Sequence, residues 1–245
     1  MKIAAIADIH GNLTALEAVL ADINSRQADE IICLGDIIGK GPDSKAVIDL
    51  CRNVCAVVLK GNWEDGLHKA HRAVTQGQAA GVSNRTLWYL NDAGHNRMAY
   101  LGALPHSAQR RLGGRLIRFF HAHPLGFSRY YADSPIEKRR ELFVPGPDDT
   151  GGPADVAVYA DIHTAYMQVL SGRVLVNTGS VGNPLDMTQA SYCMLESESG
   201  ADLSVHFYRV PYDIEKAVSA AVKAGVPDLD GYIAELRTAQ YFRRT

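Results

Sequence analysis

The spacing of apolar residues changes several times between strand-like and helix-like over the first 60 residues. Short apolar runs at 2–7, 30–34 and 55–59 predict buried strands. Between the first two runs, Asn12 is a candidate N-cap for a helix whose apolar residues share one face, and a second helical pattern covers 44–50. This alternation of strand and helix favours a parallel sheet with right-handed crossovers.

The middle of the chain, at about 64–110, is polar and helical in tendency, which predicts a cap-like helical insertion. Closely spaced strand patterns follow, and their turn-like links predict antiparallel or mixed sheet. These patterns cover residues 115–120, 155–159, 166–170, 174–177, 192–195 and 203–210. Two closing helices are predicted at 213–224 and 228–238. Residues 1–245 are therefore expected to form one domain of two sheets with flanking helices and this insertion.

Composition narrows the choice of partners and compartment. The formal net charge of −2 gives no basic field, so we do not expect a nucleic acid polymer as partner. The four cysteines include no CxxC pair, which is typical of reduced cysteines in a reducing compartment. The first apolar run is too short for a signal peptide, and no run of 18 apolar residues occurs. We therefore expect a cytoplasmic protein that does not enter a membrane.

Side chains of metal-binding types follow the ends of five predicted strands. They are Asp8 and His10, Asp36, Asn62, His121 and His123, and Asp161 and His163. Because sites in open α/β sheets form beyond the carboxyl ends of the strands, these side chains are expected to converge on one cleft. Each residue alone could be an ordinary turn or edge residue, but their order and shared position predict a metal site. Mixed oxygen and nitrogen ligands suit Mn, Fe or Zn better than Ca.

The same residues lie in motifs that resemble those of the calcineurin-like metallophosphoesterases. The motifs are DIHGN (8–12), GDIIGKGPD (35–43), GNWED (61–65), HAH (121–123), DIH (161–163) and NTGSVGNP (177–184). The likeness runs from residue 1 to about 210 and looks closest to the small prokaryotic branch of phosphodiesterases and dinucleoside polyphosphate hydrolases. The resemblance implies an α/β fold, namely a four-layer α/β/β/α sandwich in which helices flank two mixed sheets. It also implies two divalent metal ions at the edge of the sheets.

The resemblance also implies a role for each ligand. The ligands of the first ion would be Asp8, His10 and His163. Those of the second ion would be Asn62, His121 and Asp161. The carboxylate of Asp36 would bridge both ions. The implied chemistry is hydrolysis by a hydroxide held between the ions, which attacks phosphorus in line with the leaving oxygen.

Two positions depart from the family pattern. Many members carry His where this chain has Trp63, which cannot transfer a proton. His123 is the leading replacement as acid or phosphate contact, and His68 and His71 are further candidates. Asp161 stands where members usually carry a metal-binding His. Its shorter side chain predicts a weaker second site with a preference shifted from Zn toward Mn or Mg, and the alternative that it ligates nothing stays open.

Several basic and acidic residues are candidates for supporting roles. Arginine and lysine side chains near the cleft could hold phosphate, although such residues usually form a solvated surface. One group of them lies before and within the strand predicted at 115–120, and another lies in a basic run at 138–140. They are Arg110, Arg111, Arg115 and Arg118, and Lys138, Arg139 and Arg140. Glu64 and Asp65 are expected to accept hydrogen bonds or to cap the helix that begins beside them.

The leading functional prediction is metal-dependent hydrolysis of a phosphoester or phosphoanhydride in a small phosphorylated molecule, with a nucleotide as the first candidate. The alternatives are a phosphomonoesterase of broad specificity and a degenerate relative that binds metal or nucleotide with little turnover. Asp161 and Trp63 motivate the second alternative. The sequence leaves the exact substrate, the metal and the oligomeric state open.

Overall fold

The computed structural model describes residues 1–147, 149–198, 200 and 202–242. Its strands and α-helices alternate at first and then give way to closely spaced strands. In chain order they are β1 (Lys2–Ile6), α1 (Leu13–Ser25), β2 (Glu30–Cys33), α2 (Ser44–Val54), β3 (Val57–Val58), α3 (Asn62–Thr75), α4 (Asn84–Ala93), α5 (Met98–Ala103), β4 (Ser107–Leu112), β5 (Arg115–Phe120), α6 (Ile136–Arg140), β6 (Val156–Tyr159), β7 (Ala165–Leu170), β8 (Arg173–Thr178), β9 (Ala190–Glu196), β10 (Ser204–Val210), α7 (Ile214–Ala224) and α8 (Leu229–Thr238).

These strands form two five-stranded sheets, each with parallel and antiparallel pairs. The first sheet has the order β10-β9-β1-β2-β3 and the second the order β4-β5-β6-β8-β7. In the first sheet, β1 pairs in parallel with β2 and β2 with β3, whereas β9 is antiparallel to both of its neighbours. In the second, β6 pairs in parallel with β5 and β8. Two mixed sheets are thus confirmed.

The sheets pack face to face over an apolar core, and helices cover their outer faces. Ile3 of β1 and Phe119 of β5 lie fully buried in the core between the sheets. On the outer face of the first sheet, Leu16 of α1 and Val47 of α2 belong to a second core. The outer face of the second sheet is covered by the segment that contains α6 and the buried Phe143, so the fourth layer is thin. The α/β class with helices on both flanks is confirmed.

The first helix shows how local sequence sets an element boundary. The Asn12 side chain accepts a hydrogen bond from Ala15 N at 3.1 Å, so it caps α1 as the pattern predicted. Its amide also donates to Gly182 O at 2.9 Å, which ties the start of the helix to the segment before β9. The buried Asn12 side chain therefore fixes the start of α1 and holds it against the segment that precedes β9.

The segment at 64–110 contains helices as predicted, but its end is a strand. Leu67 of α3, Leu90 of α4 and Leu101 of α5 belong to the same core cluster as α1 and α2. The prediction missed β4, an edge strand whose central residues Gln109 to Arg111 are polar and carry little hydrophobic pattern. The single domain over 1–245 and a cap-like role for this segment remain predictions, and residues 243–245 lie outside the described part of the chain.

Across the described residues, no helix has the length and apolar character needed to cross a bilayer. All four cysteines are free thiols, and Cys33, Cys51 and Cys193 are buried. The cytoplasmic compartment stays a prediction.

Arg118 is buried beneath the fourth layer and does not face the predicted cleft. Its Nε lies 2.6 Å from Asp149 Oδ2, and its Nη1 donates to Phe143 O at 2.9 Å. It also donates to Gly152 O at 3.2 Å, so this one guanidinium holds the loop that follows α6. Arg110 pairs with Glu30 across the sheets, whereas Arg111 is exposed. Arg118 and Arg110, two of the four arginines considered for phosphate binding in this part of the chain, therefore have structural roles.

We expect Arg118→Ala to lower the free energy of unfolding by about 3–5 kcal/mol, because it leaves the buried Asp149 carboxylate without its cation. Urea denaturation followed by circular dichroism measures this change. Arg111→Ala is the matched control from the same sheet and should change the free energy by no more than about 0.5 kcal/mol. Equal stabilities of the two variants would contradict the structural role of Arg118.

Candidate metal centre

The predicted ligands that end β1, β2 and β6 share an unusual backbone conformation. Asp8, His10, Asp36, Asp161 and His163 all have positive φ, between 50° and 70°. Non-glycine residues rarely adopt this left-handed region, and each such residue costs on the order of 1–3 kcal/mol. Strain of this kind persists only where the surroundings impose it, and it is concentrated at functional sites.

Backbone hydrogen bonds between strand ends impose these conformations. Asp8 N donates to Gly35 O at 3.0 Å, and His10 N donates to Asp36 O at 2.9 Å. On the other side of β1, Gly182 N donates to Asp8 O at 3.0 Å. The turn after β1 is thus held from both sides, which aims its side chains out of the sheet edge.

Glu64 fixes the two turns that follow β2 and β3. Its carboxylate is fully buried and accepts from Asp36 N at 2.8 Å, Ile37 N at 3.0 Å and Gly61 N at 2.8 Å. Gly61 lies so close that a Cβ there would stand 2.1 Å from Asp36 Oδ1. The prediction that Glu64 accepts hydrogen bonds and caps the helix is borne out, and this carboxylate sets the position of Asp36.

Six of the seven predicted ligands meet in one place. Two overlapping sets have ligand atoms within 4.8 Å of one another: Asp8, His10 and His163, and Asp8, Asp36 and His121. Asn62 joins the second set, because its Oδ1 lies 3.0 Å from His121 Nε2. All of these side chains except that of Asn62 are buried, so the cluster forms the floor of a cleft.

The three histidines of the cluster are oriented in the same way. His10 Nδ1 lies 3.1 Å from Ile38 O, His121 Nδ1 lies 3.0 Å from Leu34 O, and His163 Nδ1 lies 2.5 Å from Asn183 O. A carbonyl oxygen only accepts, so each Nδ1 carries the proton and donates it. Each Nε2 therefore turns toward the cluster, in the arrangement by which backbone carbonyls orient metal-binding histidines.

His10 and His163 fit a cation and little else. Burial lowers the pKa of His10 well below its ordinary value, and the nearby His163 and Lys40 lower it further. Burial also lowers the pKa of His163, again with a contribution from Lys40. Both rings are then neutral, and their Nε2 lone pairs face each other across 3.1 Å. Two acceptors at this distance repel each other unless a cation lies between them.

Asp8 and His121 point to the same conclusion. Asp8 Oδ1 is buried without a hydrogen-bond partner among the described residues, and burial raises the pKa of this carboxyl well above its ordinary value. Burial alone would lower the pKa of His121, but Asp36, Asp8 and Asp161 outweigh it and raise that pKa to about 10. The carboxylates thus stabilise positive charge in the cluster. The residues present fit one or two divalent metal ions.

Asp36 has the geometry expected of a shared ligand. Its Oδ1 accepts the backbone N–H of Trp63 at 2.9 Å, which leaves Oδ2 to face the cluster. Oδ2 lies 3.8 Å from His10 Nε2 and 3.4 Å from His121 Nε2, one histidine from each set. The bridging role of Asp36 remains a prediction. That role requires an oxygen between the two sets, and Oδ2 occupies such a position.

Asp161 lies beside the cluster but is engaged elsewhere. Its backbone N–H donates to Asp8 Oδ2 at 3.1 Å, and its Oδ1 lies 3.8 Å from His121 Nε2. Both carboxylate oxygens accept hydrogen bonds from Arg129, from Nε at 2.7 Å and from Nη2 at 2.8 Å. Neither compact set of ligand atoms includes Asp161. Its assignment as a second-metal ligand therefore remains a prediction that this geometry does not favour.

Among the described residues, His123 belongs to neither set of ligand atoms. Its ring stacks on Tyr130 at 5.1 Å, and its Nδ1 accepts the N–H of Leu125 at 3.1 Å. His68 Nδ1 pairs with Met98 O, and the His71 ring contacts His95, so these two do not supply an obvious replacement either. The role of His123 as proton donor stays a prediction without a contact to support it.

Trp63 and Arg129 contribute features that the sequence interpretation did not assign. The Trp63 ring meets His10 edge-on at 5.5 Å and Tyr89 at 5.3 Å, so it packs the wall beside the first set. Arg129 is an isolated arginine in a segment without periodicity, and sequence reasoning weighed the clustered arginines instead. The only signal for it was the unusual identity of Asp161, whose carboxylate requires a partner.

Comparisons with known proteins agree with this geometry. Residues 1–200 match the model of the calcineurin-like phosphoesterase superfamily domain. An uncharacterized protein of Methanocaldococcus jannaschii is 29% identical, over 92% of this chain and 94% of the relative. The crystal structure of a metallophosphoesterase from Sphaerobacter thermophilus is 25% identical with a TM-score of 0.76, over 98% of this chain and 100% of that chain. A hypothetical protein from Pyrococcus horikoshii shares the fold, with 18% identity and a TM-score of 0.73 over 96% of this chain and 97% of that chain.

The family match covers most of the chain and includes every residue of the cluster. The chain therefore belongs to the calcineurin-like phosphoesterase superfamily. It is a hydrolase of the metallophosphoesterase class. The six residues that meet at the strand ends are called the strand-end cluster below: Asp8, His10, Asp36, Asn62, His121 and His163.

We expect Asp36→Asn to lower bound metal at both sets, because Asp36 Oδ2 lies near one histidine of each set. Asparagine keeps the oxygen that accepts from Trp63 N, so the turn itself should persist. Mass spectrometry of metals in protein reconstituted with Mn and desalted measures the change. Asp65→Asn, which alters a nearby carboxylate paired with Lys69, is the control and should retain its metal. Unchanged metal content in Asp36→Asn would contradict the bridging assignment.

Proposed function

We propose that this protein hydrolyses a phosphodiester or phosphoanhydride bond in a nucleotide, with two divalent metal ions held by the strand-end cluster. Mn is the first candidate for the ions, followed by Fe and Zn, because the ligands mix carboxylate and amide oxygens with imidazole nitrogens. The observation that carries the proposal is the convergence of neutral histidine Nε2 atoms and an unpartnered Asp8 oxygen on one point. A cytoplasmic location and the absence of a nucleic acid polymer as partner are part of the same proposal.

The cleft above the cluster supports a substrate larger than phosphate. Its volume is about 1140 Å³, and residues of the cluster, including His10, Asp36 and His163, lie at its floor. Aromatic side chains line its walls, and two of them, Tyr131 and Tyr241, are 49% and 64% exposed. Exposed rings beside a polar floor suit a ligand with an anionic end and a flat apolar end. A nucleotide has both.

Paired cations and carboxylates line the cleft. Lys40 lines the cleft, where its Nζ binds Asn183 Oδ1 at 2.5 Å and Glu235 Oε2 at 2.8 Å. Arg85 lies over the Trp63 ring on the same wall. Glu235 and Asp228 pair with these two cations on the same lining, so the attraction for an anionic substrate would come mainly from metal ions bound in the cluster.

Each part of the site then has a defined task. When bound, divalent ions supply a strong nucleophile from water at neutral pH and neutralise the phosphoryl oxygens. His10, His163 and His121 would hold such ions through their Nε2 atoms, because backbone carbonyls hold each Nδ1–H. The buried floor excludes bulk water from these ligands, which strengthens their electrostatic interactions. The aromatic walls orient the remainder of the substrate.

The test is a comparison of substrates with metal-stripped and Mn-reconstituted protein. Bis-p-nitrophenyl phosphate reports diesterase activity, p-nitrophenyl phosphate reports monoesterase activity, and a panel of cyclic and dinucleoside phosphates tests the nucleotide preference. We expect Mn-dependent cleavage of the diester to exceed that of the monoester. The reverse order would favour the phosphomonoesterase, and metal binding without turnover would favour a degenerate relative. Full activity after metal removal would contradict the proposal.

We expect Tyr131→Ala and Tyr241→Ala each to raise KM for a cleaved nucleotide about 10-fold, because stacking on a base contributes on the order of 1–3 kcal/mol. The value of kcat should change little, since neither ring touches the metal cluster. Steady-state kinetics measures both constants. Leu125→Ala is the control, because Leu125 is 62% exposed and lies outside the residues that line the cleft. An equal KM in all three variants would leave the aromatic walls without a role in binding.

A further inference from the structure

The pair formed by Arg129 and Asp161 combines a buried anion with a cation at the cleft surface. The Asp161 side chain is 4% exposed, whereas that of Arg129 is 51% exposed. Two parallel hydrogen bonds join them, from Nε to Oδ2 and from Nη2 to Oδ1. Both residues line the cleft. The carboxylate thus anchors the inner edge of the guanidinium and leaves the outer edge accessible.

The anchor places this guanidinium next to the metal cluster. Asp161 N donates to Asp8 Oδ2, and Asp161 Oδ1 lies 3.8 Å from His121 Nε2. Only the width of one carboxylate therefore separates Arg129 from the two ligand sets. Because the backbone of Asp161 is held in the left-handed region at φ 70°, its carboxylate has a defined direction. The position of Arg129 follows from that direction.

The accessible edge of Arg129 has hydrogen bonds to give. A guanidinium carries five N–H groups in a planar fork, and Asp161 takes two of them. The remaining groups lie on Nη1 and Nη2. Tyr131 is a polar neighbour along the chain and lines the same cleft. Planar N–H pairs match the spacing of two oxygens on a phosphoryl group.

We propose that Arg129 binds a phosphoryl group of the substrate and that Asp161 is its positioning residue, not a metal ligand. This inference rests on the proposed function, because it takes the substrate to be a phosphate ester. It assigns Asp161 a different task from the one implied by the family pattern. The negative charge of Asp161 is matched by a permanent cation of the chain, and this cation contacts the anionic substrate.

Binding of inorganic phosphate to the Mn-loaded protein tests the first half of the proposal. We expect Arg129→Ala to weaken phosphate binding by about 10-fold or more, as for the loss of a charge-assisted hydrogen bond. Arg129→Lys keeps the charge without the fork and should recover part of the affinity. Isothermal titration calorimetry measures these dissociation constants. Arg97→Ala is the matched control, because Arg97 forms the same two-point pair with Asp49 on the outer surface and should bind phosphate as the wild type does.

Metal content and a double-mutant cycle test the second half. We expect Asp161→Asn to keep the wild-type number of Mn ions at saturating metal and to weaken phosphate binding. In the Arg129→Ala background the same change should have no further effect, because a positioning residue acts only through its partner. Wild-type phosphate affinity in Arg129→Ala would overturn the proposal. Loss of one equivalent of metal in Asp161→Asn would also overturn it and would make Asp161 a ligand.

The outcomes separate this inference from the proposed function. Phosphate binding that depends on Arg129 in a protein that cleaves no phosphoester would contradict the function and support the inference. Diester hydrolysis with an unchanged KM in Arg129→Ala would support the function and overturn the inference. Arg129→Ala leaves the buried Asp161 carboxylate without its cation, so circular dichroism and urea denaturation check that each variant folds. Arg129→Lys keeps the charge and the double variant removes both charges, so these two proteins still decide the inference if Arg129→Ala is unstable.

Discussion

The hydrogen bond from Asp161 N to Asp8 Oδ2 joins the two sheets at the point where the ligands meet. Asp8 follows β1 of the first sheet, and Asp161 follows β6 of the second. On its other side, Asp8 is held by Gly182 N and Ser180 Oγ, which both donate to its carbonyl oxygen. The sheets also meet through the apolar core, through the Arg110–Glu30 pair and where His121 Nδ1 donates to Leu34 O, but this junction lies at the ligands themselves. It sets how Asp8 is placed against the strand ends of the second sheet, and the geometry of the cluster depends on that placement.

The ligand set could be predicted from the sequence because it depends on features that are local. Apolar runs identify β1, β2 and β6, and the residues at their carboxyl ends must lie at the sheet edge whatever the details of packing. Asp8, Asp36 and His163 occupy such positions, and the structure brings them together. The strand β4 could not be predicted in this way. It is an edge strand whose exposed side chains are polar, so its sequence lacks the pattern that marks a buried strand.

The positions of His123 and Arg129 could not be predicted because they depend on where strand β5 ends. The spacing in HAH suggests two rings on one face only if the strand continues through both histidines. In the structure β5 ends at Phe120, and His123 lies in an isolated bridge with Gly126 that turns its ring toward Tyr130. Arg129 lies further along the same irregular segment, where no periodicity indicates direction. Its contact with Asp161 joins residues 32 positions apart, and only tertiary structure reveals such a pair.

The balance of buried charge explains why this edge of the sheets suits exchangeable cations. Glu64 accepts three backbone N–H groups, although burial and the nearby Asp36 still raise the pKa of its carboxyl to about 7, and Asp161 is compensated by Arg129. Asp8 keeps one buried oxygen that accepts no hydrogen bond from the part of the chain that the structure describes, and Asp36 turns one oxygen toward two histidines. An uncompensated buried carboxylate costs several kcal/mol, so the fold is expected to gain stability when cations bind there. The carboxylates that position the site, Glu64 and Asp161, are thus bound by groups of the chain itself. The carboxylates of Asp8 and Asp36 each keep an oxygen available for a metal ion.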